Sequence, residues 1–434
     1  MAERVEAPHS AARPSMASAR GRTWLGRGGQ FESQAAVRQE NLQRVLQHVL
    51  RDTGAVTRAS IARATGLTSA TISSLIAELI ELGFVAEGDH AASTGGKRAT
   101  ILQVDRSVHA VLAVVVRARS LRAGLLDLTG ATVAETTRSF TGAPSVDDIV
   151  RAVRELAPDG GRRPIAIGVQ VPGTSDKGVV IESVQLGWSG MPVAQRIEEA
   201  LDVPAYVLND ADAEALAEAA LEREPVSERL LVHLGEGVGS ALTVGGRLVP
   251  GFSGRAGEIG HVRVEFEGTR EFCRCGLSGC LESTASMTAM LGEAFHDELD
   301  VESVQLLTTA RGSGERIALG ARALSRALRM LSAMLDPEEI LIGGAAPALG
   351  GAFLAMLRDE LEMYPAKGTR PVHIRYTKNG RSTFIGAAQF ALRSELGVSW
   401  SAAEMPAAAE TPEAADASEM AETPVTAKAP QSAG

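Results

Sequence analysis

All three cysteines of this 434-residue chain lie within eight positions, Cys273-Arg274-Cys275-Gly276-Leu277-Ser278-Gly279-Cys280. A disulfide framework needs an even count and partners from distant segments. Three thiols this close, in an otherwise cysteine-free chain, suit ligation of a soft cation. The spacing predicts a structural zinc site, and because such sites are four-coordinate, a fourth ligand must come from elsewhere. Of the eight histidines, His261 is the best placed, since Gly257-Glu258-Ile259-Gly260-His261 ends just before the cluster. Gly276 and Gly279 favour a tight knuckle whose backbone amides face the thiolates. The competing reading is three small buried side chains and no metal.

The elements that must hold this cluster come from a large chain. At 45% apolar residues it has ample material for a core, and its length predicts two or three domains. The longest aliphatic run, from Ala110 to Val116, suits a buried strand and is far too short to span a membrane. No apolar leader opens the chain, so a cytoplasmic address is expected, with nucleoid association when DNA is bound. The net charge of −10 hides an asymmetry: residues 1–104 carry +3 and the remainder −13. Only the front is fit for nucleic acid. Composition marks residues 1–36 and 397–434 as disordered tails, the second rich in Ala, Glu and Pro.

Residues 37–104 read as a winged helix-turn-helix. Leu42, Val45, Leu46 and Val49 repeat at helical spacing. Thr57 can cap a second helix carrying Ile61, and Gly66-Leu67 makes a turn. Thr68 can cap a third, whose Ile72, Leu75, Ile76, Leu79 and Leu82 form one apolar stripe before Gly83 ends it. Opposite that stripe lie Ser69, Ala70, Thr71, Ser73 and Ser74, short side chains that permit close approach to base edges and phosphates. Strands at residues 84–86 and 99–104 would flank a wing tip bearing Lys97 and Arg98. The alternative is a helical dimerisation module with a solvated hairpin.

Residues 105–396 read as a mixed α/β module in two similar halves, which suggests a bilobed cleft. Here the motifs converge. Val171-Pro172-Gly173, Leu208-Asn209-Asp210-Ala211-Asp212, Gly235-Glu236-Gly237-Val238-Gly239, the Gly257 to His261 segment, the cysteine cluster running into Leu281-Glu282, and Gly343-Gly344 resemble the ROK family of repressors and sugar kinases. The resemblance covers about residues 37–395. The helix-turn-helix front points to its repressor branch, of the xylose and N-acetylglucosamine type. The resemblance implies an actin-like, hexokinase-like fold, and it places Asn209, Asp210, Glu258, His261 and Glu282 on sugar hydroxyls. It implies that His261 serves two sites, one ring nitrogen on zinc and the other toward the sugar. In the family's kinases the aspartate matching Asp210 is the general base.

The pattern breaks where phosphate would bind. Kinases of the family open their first strand with an aspartate and a Gly-Gly-Thr turn; Val115, Arg117, Ala118 and Arg119 stand there instead. Glu236 replaces the threonine of the second loop, and a carboxylate about 4 Å from a phosphate costs on the order of 4 kcal/mol at an effective dielectric of 20. No ATP binding is expected, no catalytic residue is assigned, and Asp210 becomes a vestigial base. Arg117 and Arg119 read as strand-end arginines in solvent, with an anion grip as the alternative. The expected function is a transcription regulator, a repressor by its branch, bound to operator DNA as a homodimer or homotetramer and controlled by a sugar or sugar phosphate. The alternatives are an ATP-dependent sugar kinase with an attached DNA-binding domain and a metal or thiol sensor.

Overall fold

The computed structural model describes residues 34–51, 56–90, 99–157, 161–222, 226–264, 273–362, 372–378 and 384–400. The chain divides into two compact units, residues 1–41 and 42–434. The first contributes only the opening turns of a helix to the described structure; everything below concerns the second.

Helix α1 (Gln34–Arg51) begins inside the stretch expected to be a tail, and buries Leu42, Val45, Leu46 and Val49. Helix α2 (Arg58–Thr65) is capped by Thr57, whose hydroxyl accepts from the Ser60 amide while the Ser60 hydroxyl accepts from Thr57. It stops at Gly66, whose φ of 73° suits glycine. Helix α3 (Ser69–Glu81) is capped by Thr68 and buries Ile72, Leu75, Ile76 and Leu79. Strands β1 (Val85–His90) and β2 (Thr100–Val104) pair antiparallel, with Val85 opposite Val104. The wing tip with Lys97 and Arg98 lies outside the described residues.

The body repeats one topology. Strands β3 (His109–Val116), β4 (Ser120–Asp127) and β5 (Thr132–Ser139) form an antiparallel meander; α4 (Val146–Leu156) leads to β6 (Arg163–Val171), which joins parallel to β3. Three short strands, β7 (Thr174–Asp176), β8 (Val179–Ser183) and β9 (Trp188–Met191), make a small separate sheet. Helix α5 (Val193–Leu201) then brings in β10 (Ala205–Asn209), parallel to β6, giving the order β10-β6-β3-β4-β5. Helix α6 (Asp210–Ala220) opens the second round: β11 (Glu228–Leu234), β12 (Val238–Val244) and β13 (Arg247–Leu248) form the meander. Four helices follow, α7 (Glu282–Ala285), α8 (Met287–Leu291), α9 (Val301–Thr308) and α10 (Ser313–Leu335). Strand β14 (Glu339–Gly344), helix α11 (Gly350–Glu362) and strand β15 (His373–Tyr376) complete an equivalent sheet, β13-β12-β11-β14-β15. Each sheet has its own apolar core, one around Leu112, Ile149 and Ile167, the other around Leu324, Ile342 and Phe353.

Helix α12 (Ile385–Leu396) crosses back onto the first sheet and α6. The approach demands glycine: a Cβ on Gly386 would lie 1.8 Å from the Ala213 carbonyl oxygen, and one on Gly168 would lie 1.9 Å from that of Ala387. The next residues, expected to belong to the tail from 397 onward, are packed as far as Trp400. Val398 and Trp400 are buried because each is a large apolar side chain facing the body. Among the described residues, no helix is long and apolar enough to cross a membrane.

Candidate functional site

Strand β10 delivers Asn209 and Asp210 to the start of α6. Asn209 Oδ1 accepts from the Asp212 amide at 2.7 Å, so this side chain caps the helix. Capping fixes its position at the cleft. Burial raises the Asp210 carboxyl above its ordinary range, Asp297 adds to the rise, and His233 opposes it. His233 Nε2 stands 3.8 Å from Asp210 Oδ2, and its Nδ1 is 2.7 Å from Glu214 Oε2. Burial by itself would lower the imidazole, but Asp210, Glu214 and Asp297 more than offset that and raise it to about 9. Asp210 thus sits beside an imidazole that the surrounding carboxylates hold above its ordinary value.

Of the other expected cleft residues, all from the second lobe, Glu258 interacts with Asp210, His261 and Glu282. Glu258 precedes a short 3-10 turn, Ile259–His261, and lies 3.9 Å from His261 Nε2. Burial raises Glu258, and the charges of Asp210 and Glu282 add to this against His261 and Arg255. Glu282 opens α7, where its Oε2 accepts from the Val238 amide at 3.2 Å. Asp212, which interacts with Asp210 and Glu258, is pushed up to about 7, chiefly by burial. This is an acceptor-rich cleft, suited to hydroxyl donors held in fixed geometry.

The cysteine knuckle closes as its glycines suggest. The Gly276 amide donates to the Cys273 carbonyl at 2.9 Å and the Cys273 amide to that of Leu277 at 2.8 Å. The Leu277 amide faces the Cys275 thiol and lowers its pKa. One ligand atom each from His261, Cys273, Cys275 and Cys280 lies within 4.8 Å of all the others. Cys273 Sγ is 3.5 Å from His261 Nδ1, and Cys275 Sγ is 3.6 Å from Cys280 Sγ. A tetrahedral ion at ~2.3 Å from sulfur and ~2.0 Å from nitrogen has edges of ~3.5 to ~3.8 Å. The donor set therefore fits a metal ion, with Nδ1 facing the thiols and Nε2 turned toward Glu258. Cys273 Sγ also lies 3.6 Å from Glu282 Oε1, which ties the knuckle to the cleft.

The loops matching the kinase phosphate turns hold the chain's own carboxylates. The Glu236 amide donates to Asp297 Oδ1 at 3.1 Å, and the Arg117 guanidinium donates to the Asp297 carbonyl oxygen. Arg117 is consequently half-buried, contrary to the expectation of solvent, whereas Arg119 is exposed. The Gly344 amide donates to Glu214 at 3.0 Å, as does the Thr377 hydroxyl at 2.9 Å. Sequence reasoning missed His233, Glu214, Asp297 and Glu298. For Glu214 a signal existed: Asp210, Glu214 and Glu218 recur every four residues, one stripe of α6, and Glu222 just beyond its end keeps the spacing.

On the front module, Ser69, Ala70, Ser73 and Ser74 are exposed and Thr71 is half-buried. Thr71 is drawn into the cap, its Oγ1 2.9 Å from that of Thr68. Ser73 donates back to the Ser69 carbonyl at 2.9 Å, which shortens the polar surface of α3 further.

A helix-turn-helix joined to twin kinase-like lobes defines a class that attaches a DNA-binding front to a sugar-kinase-like body. The chain belongs to the ROK family, which it matches over residues 112–394, and residues 40–88 match the IclR helix-turn-helix domain. It is 28% identical to the xylose repressor of Caldicellulosiruptor bescii, over 74% of this chain and 87% of that one. It is also 34% identical to a glucokinase of Halalkalibacterium halodurans, over 46% of this chain and 67% of that one. A solved ROK family transcriptional regulator, described as a homologue of the Escherichia coli MLC protein, shares the fold. Its TM-score is 0.68 at 21% identity, over 81% of this chain and 95% of that one.

Proposed function

We propose that this chain is a DNA-binding transcription regulator, a repressor, whose body senses a sugar or sugar phosphate. One observation carries the reading: a helix-turn-helix is joined to a sugar-kinase-like body whose nucleotide loops are held by its own carboxylates. The similarity to a protein named xylose repressor supports it. Asn209, Asp210, Glu258, His261 and Glu282 bind the sugar hydroxyls. Ser69, Ala70, Thr71, Ser73 and Ser74 face operator DNA, with Lys97 and Arg98 on phosphate. The protein works in the cytoplasm as a homodimer or homotetramer.

His261, Cys273, Cys275 and Cys280 hold a structural zinc ion, which when bound fixes the imidazole ring. His261 then presents Nε2 to the sugar beside Glu258. Asp210 accepts a hydroxyl hydrogen bond without passing a proton on, because the loops that would hold a phosphoryl donor are engaged by Asp297 and Glu214.

The test is operator binding. DNA fragments selected by the full chain are titrated with protein, by fluorescence anisotropy, in the presence of neutral sugars and sugar phosphates. One sugar should weaken DNA binding, and DNA should weaken that sugar by the same factor. Operator affinity indifferent to every sugar would sink the sensor half. The similarity to a glucokinase keeps a second reading in view, an ATP-dependent sugar kinase. Turnover above background that disappears in Asp210→Asn would establish it.

A further inference from the structure

The loop between α8 and α9 lays two consecutive carboxylates across the cleft. Asp297 Oδ1 accepts from the Glu236 amide at 3.1 Å in the second lobe, and its Oδ2 accepts from Gln185 Nε2 at 3.5 Å in the first. Glu298 Oε1 accepts from the Arg119 amide at 3.0 Å and from Ser120 Oγ at 3.3 Å. The carboxylates' donors are thus two loop amides, a hydroxyl and a carboxamide, with the Arg117 guanidinium on the Asp297 main-chain carbonyl and His296 Nδ1 3.5 Å from Glu298 Oε2. Anions are bound by such sets. Asp297 lies close against the second loop: a Cβ on Gly235 would lie 2.7 Å from Asp297 Oδ1.

We propose that Asp297 and Glu298 are a built-in phosphate mimic, which pins the two lobes together and restricts the cleft to an uncharged sugar. This deepens the sugar-sensor reading and rests on it. A phosphoryl group entering the cleft must displace two carboxylates from their donors. If they swing aside without leaving, it must sit beside them and beside Glu236, three like charges in a half-buried site. A neutral sugar at Asp210, Glu258 and Glu282 meets no such opposition. The same contacts tie the β3–β4 turn to the second lobe, so they favour one lobe arrangement in the absence of ligand.

Inorganic phosphate is the probe, titrated calorimetrically into the full chain against chloride of equal ionic strength. The wild type should take up no phosphate in the range where Asp297→Ala/Glu298→Ala binds it at least about tenfold more tightly. If that double variant does not fold, Glu298→Ala alone should show a smaller gain at the Arg119 and Ser120 end. In parallel, thermal shifts compare neutral hexoses and pentoses with their phosphates; any stabilisation of the wild type should come from the neutral forms. Equal phosphate affinity in wild type and variants, or no binding by any of them, overturns the proposal. So does a sugar phosphate that stabilises the wild type more than its parent sugar. These readouts need no DNA. Loss of sugar control over operator binding, with the phosphate results as expected, would defeat the sensor reading and leave the mimic standing.

Discussion

Gln47 and Ser399 exchange two hydrogen bonds although 352 positions separate them: Nε2 donates to the Ser399 carbonyl, and the Ser399 amide donates to Oε1, each at 2.8 Å. Trp400 then donates its amide to Gln389 Oε1 at 2.9 Å and its indole N–H to the Leu128 carbonyl at 2.8 Å. Gln389 belongs to α12, and α12 packs on α6, whose first turn carries Asp210. A contiguous path thus joins the cleft to the first helix of the front module.

Replacing Gln47 by Ala removes both bonds and should cost about 1 to 2 kcal/mol of stability, since neither backbone group of Ser399 keeps that partner. Sugar affinity measured without DNA should not change. The factor by which sugar weakens operator binding should fall toward one, measured as the difference between anisotropy titrations with and without sugar. An undiminished factor would show that the signal travels elsewhere.

The cleft should take up protons on folding. His233 is raised from 6.5 to about 9, so its stabilising contribution is complete below about pH 6.5 and is lost as pH rises through about 9. Asp212 is raised from 3.8 to about 7, and its neutral form is favoured in the fold, so it too makes stability decline with pH, between those values. Thermal unfolding of the ligand-free chain should therefore weaken from pH 6 to pH 9. In His233→Gln the decline above about pH 6.5 should flatten. A wild-type profile that rises over that interval would contradict the ion pair.

Much of this was legible because it depended on local pattern. Thr57, Thr68 and Gly66 are stop and start signals whose physics acts within one turn, and the structure uses all three. The gathering of the three thiols was readable for the same reason, as they are neighbours in sequence. What escaped depended on distant groups. His233 sits in an apolar run that reads as a buried strand, and only the arrival of α6 beside β11 gives it Asp210 and Glu214. Asp297 and Glu298 belong to no motif and acquire meaning from Arg119 and Glu236, far away in the chain. Trp400 looked like the start of a tail because the Ala- and Glu-rich composition behind it outweighed two large apolar residues, Val398 and Trp400.

The two candidate metal ligands Cys275 and Cys280 should separate by burial. Cys280 is 1% exposed, and its loss strands His261 and two thiols in a partly buried knuckle; Cys275 is on the surface. Metal content by mass spectrometry should fall to background in both Cys275→Ser and Cys280→Ser, because three ligands hold zinc poorly. The melting temperature should drop further for Cys280→Ser. Both should lose sugar response, since His261 no longer has a fixed ring. Full metal content in either variant would remove that cysteine from the site.

Beneath the cleft, Arg375 holds three carboxylates of the second lobe. It donates to Glu339 at 2.7 Å and to Glu218 at 3.1 Å, and it reaches Glu222 as well. Arg229 donates to Glu339 at 2.9 Å and also reaches Glu222. Glu218 is fully buried, so Arg375→Ala would leave it and Glu339 short of a guanidinium and should cost about 3 to 5 kcal/mol. Burial would raise Glu339, but Arg375 and Arg229 hold it below its ordinary range. A depressed carboxylate contributes stability above its unfolded pKa and loses it as pH falls through the folded one. The gap in melting temperature between wild type and Arg375→Ala should therefore be widest near neutrality and narrow toward pH 4. A gap that widens in acid would mean that the network is not held by these charges.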